Sequence, residues 1–169
     1  MAASLRSALE SDVFRPKRER LLYVLQLVPC KENEDRCLCV SVTRGNSVRI
    51  ICVHMIQEKT VNLYKIEHKW LLKDLTLIDG KDGTQDNRWL DLHFEKVYNW
   101  EACTTASKYA FVRRLRKLKK SYYQEDIELL NFDTDYVEDA GFLQVPEDIV
   151  LALKLCLQAM NCVCLLSCL

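Results

Sequence analysis

The chain has 169 residues, of which 49% are hydrophobic and 28% are charged, and its 24 acidic side chains balance its 24 basic ones. This is the composition of an ordinary globular protein with room for one domain and extensions. The low content of glycine and proline, four and three residues, excludes a chain built mainly of long disordered linkers. The zero net charge hides a split, because residues 107–124 hold seven basic and no acidic side chains, whereas residues 125–139 hold seven acidic and no basic ones.

The first seventy residues predict a short helix and four strands. Residues 37–43 alternate between two sets of side chains, and a period of two is typical of a strand. Gly45 and Asn46 form a hairpin signal between two apolar runs. On the fourth strand, alternate residues are expected to share one face, namely Tyr64, Ile66, His68 and Trp70. The predicted elements are a helix over 1–10 and strands over 20–30, 37–43, 48–56 and 61–70.

The following residues predict three more strands and one long helix. Leu90, Leu92 and Phe94 alternate with polar residues, which indicates a strand with one buried face. The period of the apolar residues then changes to that of one helix face. The residues with this spacing are Phe111, Leu115, Leu118 and Tyr122. The predicted strands span 72–78, 89–95 and 96–100, and the predicted helix spans 107–124.

Seven short strands followed by one helix predict a mainly β fold, a seven-stranded sandwich or partly open barrel capped by the helix. The predicted divisions are an N-terminal extension over 1–15, the domain over 16–124, an acidic connector that leaves the domain over 125–145, and an apolar helical tail over 146–169. Pro146 and the two acids that follow it suit the first turn of a helix in that tail.

The long helix carries cations without an interrupting acid. Its solvent-facing side is expected to present Arg113, Arg114, Arg116, Lys117, Lys119 and Lys120. The candidate basic patch consists of Arg113, Arg116, Lys117 and Lys120. Two interpretations stay open: the solvated side of a packed helix, or an electrostatic patch for acidic lipid or an acidic partner. Nucleic acid is not an expected partner, because no aromatic side chains interleave the exposed cations.

Nine cysteines occur in a chain whose first residues lack the apolar region and cleavage site of a secretory signal peptide. Free thiols in a reducing cytosol are therefore expected. The spacing of Cys30, Cys37, Cys39, Cys52 and His54 lacks the paired ligands of a zinc site, and these cysteines are interpreted as small apolar strand residues. No metal, cofactor or catalytic motif is predicted, so the chain is not expected to be an enzyme.

The predicted tail is strongly apolar, with seventeen apolar side chains among residues 149–169. A bilayer span needs about 20 such residues, but Lys154 near the centre is unfavourable there. Four interpretations remain: a tail anchor, a helix docked on protein, a helix in the membrane interface, or an acylated segment. The candidate acylation sites are Cys156, Cys162, Cys164 and Cys168.

Residues 91–100, DLHFEKVYNW, form a specific block, and other short pieces accompany it in a fixed order. These pieces are Phe14-Arg15-Pro16, Glu19-Arg20-Leu21-Leu22, Cys37-Leu38-Cys39, Tyr64-Lys65, Trp70, Leu72, Asp74-Leu75 and Asp79. Over roughly residues 5–123 the chain resembles the N-terminal domain of the exocyst complex component 1 family. The resemblance implies a pleckstrin-homology fold that binds phosphatidylinositol bisphosphate and, in fungi, Rho-type GTPases. It also implies a cytoplasmic protein, peripheral at the plasma membrane, that acts in vesicle tethering and exocytosis.

In that family, cations from the turn after the first strand and from the third and fourth strands hold the lipid head group. The corresponding residues here are Lys31, Arg36, Arg49 and Lys65. The turn at 31–36 holds three acids and two bases, where relatives have a run of lysines. Since each basic group near an anionic surface contributes about 1 kcal/mol, weak or absent binding is expected. The alternative is an interaction module that has lost lipid binding and contacts a Rho-type GTPase or an exocyst subunit.

Overall fold

The helices and strands follow the predicted order, with one strand added. A computed structural model describes residues 2–29, 34–58, 61–83 and 87–137. The strands are β1 (Glu19–Gln26), β2 (Glu34–Thr43), β3 (Val48–Glu58), β4 (Val61–Leu71), β5 (Leu77–Asp79), β6 (Trp89–His93), β7 (Val97–Glu101) and β8 (Glu128–Leu130). The helices are α1 (Ala2–Leu9), α2 (Thr105–Tyr123) and α3 (Thr134–Val137).

Two four-stranded sheets form the sandwich, which confirms the predicted mainly β fold. Sheet one has the antiparallel order β1-β2-β3-β4, and sheet two has the order β7-β6-β5-β8, in which β8 runs parallel to β5. A bridge between Leu27 and Ala102 joins the end of β1 to the end of β7. The backbone N–H of Cys103 also donates to the carbonyl of Gln26, at 3.1 Å. The two sheets are therefore closed along this corner.

The main core lies between the sheets and is covered by α2. Thr104 caps the start of α2, because its hydroxyl accepts from the backbone N–H of Ser107 at 3.1 Å and the Ser107 hydroxyl accepts in return. Phe111, Leu115 and Leu118 are buried among the apolar side chains of both sheets. The predicted helical face is therefore the face that packs into the sandwich.

A second core covers the outer face of sheet one. Leu9 and Phe14, from the N-terminal helical segments, are fully buried against Cys37, Cys39 and Ile51. Strand β2 is apolar on both faces because each face contacts a different core. The predicted N-terminal extension is thus packed against the sandwich.

Two strand predictions differ from the structure. Residues Leu72–Asp74, which were expected to begin a strand, form a 3₁₀ turn, and strand β5 begins only at Leu77. The spacing of three between the buried Leu72 and Leu75 suits such a turn. On β4, Tyr64 and Ile66 pack into the second core, whereas Trp70 packs into the main core. A β-bulge, where Cys52 pairs with His68 but Val53 pairs with Ile66, shifts the alternation by one residue.

The first part of the predicted acidic connector remains attached to the sandwich. Strand β8 pairs with β5, and Ile127 and Val137 are each less than 5% exposed in the main core. The parallel pairing is a long-range contact that the acidic composition did not indicate. The rest of the connector and the predicted tail, residues 138–169, lie outside the described residues. Among the described helices, none has the length and apolar character needed to cross a bilayer.

Candidate functional site

The candidate site is the end of sheet one where β2 begins and β3 ends, and we call it the mouth. Its side chains are Glu34, Arg36, His54, Lys65 and Glu67. Arg36 pairs with His54 across β2 and β3, and His54 pairs with Lys65 across β3 and β4. Because laterally paired residues point to the same side of a sheet, these three side chains form one row. Lys31, the first candidate, lies outside the described residues.

Two acidic side chains contact this row. Glu67 lies 3.2 Å from Arg36 Nε and 3.4 Å from His54 Nδ1, and Glu34 lies 3.4 Å from His54 Nε2. Burial and the nearby Glu67 raise the pKa of Cys52 to about 12, so its thiol stays protonated and donates to Glu67 at 3.7 Å. An anionic ligand that reaches Arg36 therefore has to compete with Glu67.

Arg49 does not join the other candidates. It lies five residues before His54 on β3, which is roughly 16 Å at 3.3 Å per residue, and it faces the other side of the sheet with Ser41. Its guanidinium pairs with the buried Glu19, which also accepts from the Ser41 hydroxyl at 2.6 Å and lies 3.5 Å from Lys69 Nζ. The structure thus brings together Arg36 and Lys65 and places Arg49 in a separate ion cluster.

The basic helix is less open than the sequence predicts. Lys119 was expected to face solvent, but it is 4% exposed and donates to the carbonyl of Leu75 at 2.7 Å. Lys108 is also buried. The buried acceptors beside α2 are not apparent from helical periodicity, because they belong to loops that are distant in sequence.

Of the four side chains in the candidate basic patch, two contact the segment that follows the helix and two are exposed. Arg113 donates to the carbonyl of Tyr136 at 2.6 Å, and Arg116 forms a two-pronged ion pair with Asp126, at 2.9 and 2.7 Å. Lys117 and Lys120 are exposed on α2. Half of the patch is therefore engaged by the segment that follows the helix, which favours the solvated-helix interpretation for this face.

The Arg116–Asp126 ion pair leads to a prediction about the pKa of Asp126. The Arg116 guanidinium holds the pKa of Asp126 at about 2, below its ordinary value. In the Arg116→Ala variant we expect the Asp126 carboxyl to titrate near 4, measured by NMR on carbon-labelled protein. Replacing the exposed Lys117 by alanine should leave the Asp126 pKa within a few tenths of its wild-type value. An unchanged pKa in Arg116→Ala would contradict the assignment.

The described cysteines occupy positions of two kinds. Cys37, Cys39 and Cys52 are fully buried in β2 and β3, as expected of small apolar strand residues, and Cys103 is exposed. Within the described ranges, no group of three or more metal-ligating side chains is arranged to hold an ion. Cys30 and the four candidate acylation sites, Cys156, Cys162, Cys164 and Cys168, fall outside those ranges.

Sequence reasoning missed Glu67, one of the two acids that contact the row. Glu67 reaches Arg36 and His54 from the strand that carries the bulge, and no local pattern indicates the bulge. Glu34 belongs to the turn whose excess of acids the sequence already shows. The charge of the turn was therefore a usable signal, whereas the position of Glu67 required the three-dimensional structure.

Comparison with known proteins gives a consistent set of relatives. A family model described as "Exocyst complex component SEC3 N-terminal PIP2 binding PH" matches residues 31–121. The mouse protein named Exocyst complex component 1-like is 34% identical over 169 residues, covering 99% of this chain and 98% of that protein. Mouse Exocyst complex component 1 is 34% identical over 138 residues, covering 81% of this chain and 15% of that protein.

A more distant relative has the same name as the longer mouse protein. Exocyst complex component 1 of Drosophila melanogaster is 27% identical over 152 residues, covering 88% of this chain and 16% of that protein. The sandwich and α2 account for the region that the family model matches. The sequence resemblance is thereby confirmed, and the chain belongs to the exocyst complex component 1 family, a non-enzymatic adaptor family.

Proposed function

We propose that this chain is a peripheral membrane adaptor of the exocyst type that binds phosphoinositide weakly at the mouth. The observation that carries the proposal is the row of Arg36, His54 and Lys65, in a domain whose matching family model is described as PIP2 binding. Lys31, which lies outside the described residues, belongs to the proposed set on the basis of the family resemblance alone. Such an adaptor would act at the plasma membrane in vesicle tethering.

The charges at the mouth support low affinity. Arg36 is paired with Glu67, and Lys65 is exposed without an ion pair to any described acid. A phosphate group would gain the ammonium of Lys65 directly but would have to displace Glu67 from the guanidinium. Glu34 adds a second negative charge beside the same row. We therefore propose binding that depends on a high local density of the lipid.

Vesicle sedimentation tests this proposal. The full chain is mixed with phosphatidylcholine and phosphatidylserine vesicles, with and without phosphatidylinositol bisphosphate. In the Arg36→Ala, Lys65→Ala double variant we expect the increment due to the phosphoinositide to fall roughly ten- to thirtyfold, on the basis of about 1 kcal/mol per cation. In Glu67→Gln it should rise severalfold, because the competing carboxylate charge is gone.

The matched control is Arg49→Ala, which removes a cation from the same sheet but from the separate cluster. It should leave the phosphoinositide increment unchanged. An increment that is lost in Arg49→Ala and retained in the double variant would overturn the proposed site. No increment in the wild-type protein would favour the second function, a module that contacts a Rho-type GTPase or an exocyst subunit, and co-purification with those proteins would then test it.

A further inference from the structure

A large excess of positive charge lies at the end of sheet one opposite the mouth. Three sequence segments meet there, residues 15–20, 43–49 and 69–74. Together they hold eight basic and two acidic side chains. The strand register brings them together, because Glu19 pairs with Thr43 and Arg49 pairs with Leu71. We call this end the basic end.

Six of the eight cations at the basic end are exposed and form no ion pair with any described acid. They are Arg15, Lys17, Arg18, Arg20, Arg44 and Lys73. They come from three kinds of element: the 3₁₀ turn and start of β1, the turn between β2 and β3, and the 3₁₀ turn after β4. Packing does not require a cation at such exposed positions, so the accumulation of charge is not explained by the fold.

The acids at this end leave that charge largely uncompensated. Glu19 is 6% exposed and is already paired with Arg49 and Lys69, so this cluster itself keeps a positive charge. Asp74 is the other acid of the three segments. The mouth differs, because Glu67 contacts Arg36 there and Glu34 lies beside His54. The two ends of the ten-residue strand β2 are about 30 Å apart, so they are separate surfaces.

We infer that the basic end is a second membrane-binding surface, which attracts an anionic bilayer through its net charge and without selecting a head group. The cations lie on separate turns along one end of sheet one. This spacing suits the laterally extended array of negative charges on a bilayer surface. A bilayer rather than an acidic peptide is favoured for that reason. Such binding is long-ranged and is screened by salt.

Vesicles of phosphatidylcholine and phosphatidylserine, without phosphoinositide, test the inference on the full chain. The Arg44→Glu, Lys73→Glu double variant should bind them at least tenfold more weakly than the wild type, since each basic residue near an anionic surface changes binding about fivefold. Wild-type binding should also fall steeply between about 0.1 and 0.5 M salt. Both substituted side chains are exposed, and a thermal melt checks that the variant is folded.

The matched control reverses two exposed cations of α2 that lie outside both the three segments and the mouth, Lys117→Glu with Lys120→Glu, and produces the same net charge. It should retain most of the phosphatidylserine binding. Equal loss in both double variants would overturn the inference, because net charge alone would then explain binding. Wild-type protein that fails to bind these vesicles would also overturn it. The added effect of phosphoinositide should persist in the Arg44→Glu, Lys73→Glu variant, so this test is distinguishable from that of the mouth.

Discussion

Replacement of Lys108 by methionine is expected to lower the free energy of unfolding by about 3 kcal/mol. Lys108 is 1% exposed, and its ammonium donates to the carbonyls of Gly80 and Trp89, each at 3.2 Å, and to Asn87 Oδ1 at 3.0 Å. Methionine fills the aliphatic volume but donates no hydrogen bond. The three acceptors would then lose a charged donor, and buried acceptors without a partner are costly.

Urea denaturation followed by tryptophan fluorescence measures this effect. The matched control is Lys117→Met, which makes the same chemical change on an exposed position of the same helix and should alter stability by less than about 0.5 kcal/mol. If both variants lost the same stability, the contacts of Lys108 would contribute nothing specific. The contacts of Lys108 tie α2 to Gly80, which follows β5, and to Trp89, at the start of β6.

Substitution of Glu19 by glutamine should lower the free energy of unfolding at pH 7 by about 2 kcal/mol. Breaking a buried ion pair costs about 3–5 kcal/mol, and the partial exposure of Arg49 and Lys69 reduces that cost. Glutamine keeps the shape of the side chain and its hydrogen bond with Ser41, but removes the charge that compensates the two cations. Chemical denaturation at constant ionic strength measures the difference.

The same substitution has a defined pH dependence. Burial on its own would raise the pKa of Glu19, but the Ser41 hydroxyl, Lys69 and Arg49 together hold that pKa below its ordinary value of 4.5. A lowered pKa in the folded state stabilises the fold above the ordinary value, and this contribution is lost as the pH falls through the folded-state pKa. The wild type and Glu19→Gln should therefore differ fully at pH 7 and converge as the pH falls below the folded-state pKa of Glu19. A difference that stayed constant with pH would contradict this assignment.

Hydrophobic periodicity was sufficient for much of the architecture. The alternation in β6 and the helical spacing of Phe111, Leu115 and Leu118 predicted elements that the structure contains, because the apolar side chains of one face enter the main core. Periodicity predicted the wrong face for a side chain where a contact with a distant part of the chain determined its position. The bulge in β4 moved Trp70 to the face opposite Tyr64, and the buried acceptors near α2 removed Lys119 from solvent.

The candidate site was less predictable than the fold. Residue type and family resemblance selected Arg36, Arg49 and Lys65, but only the strand register showed that Arg49 lies at the other end of the sheet. The competing position of Glu67 follows from the same bulge. The charges counted along one strand do not show which side chains of the neighbouring strands lie beside them.

The sequence by itself determined the fold class and the family of this protein, because both depend on local period and on short blocks that resemble the family, such as residues 91–100. Tertiary structure alone decided how its charges are distributed. Three segments separated by roughly twenty residues along the chain meet at the basic end, while at the mouth Arg36 is paired with Glu67. The physical reason is that strand pairing brings distant residues together, and electrostatic interactions depend on distance in space rather than along the chain.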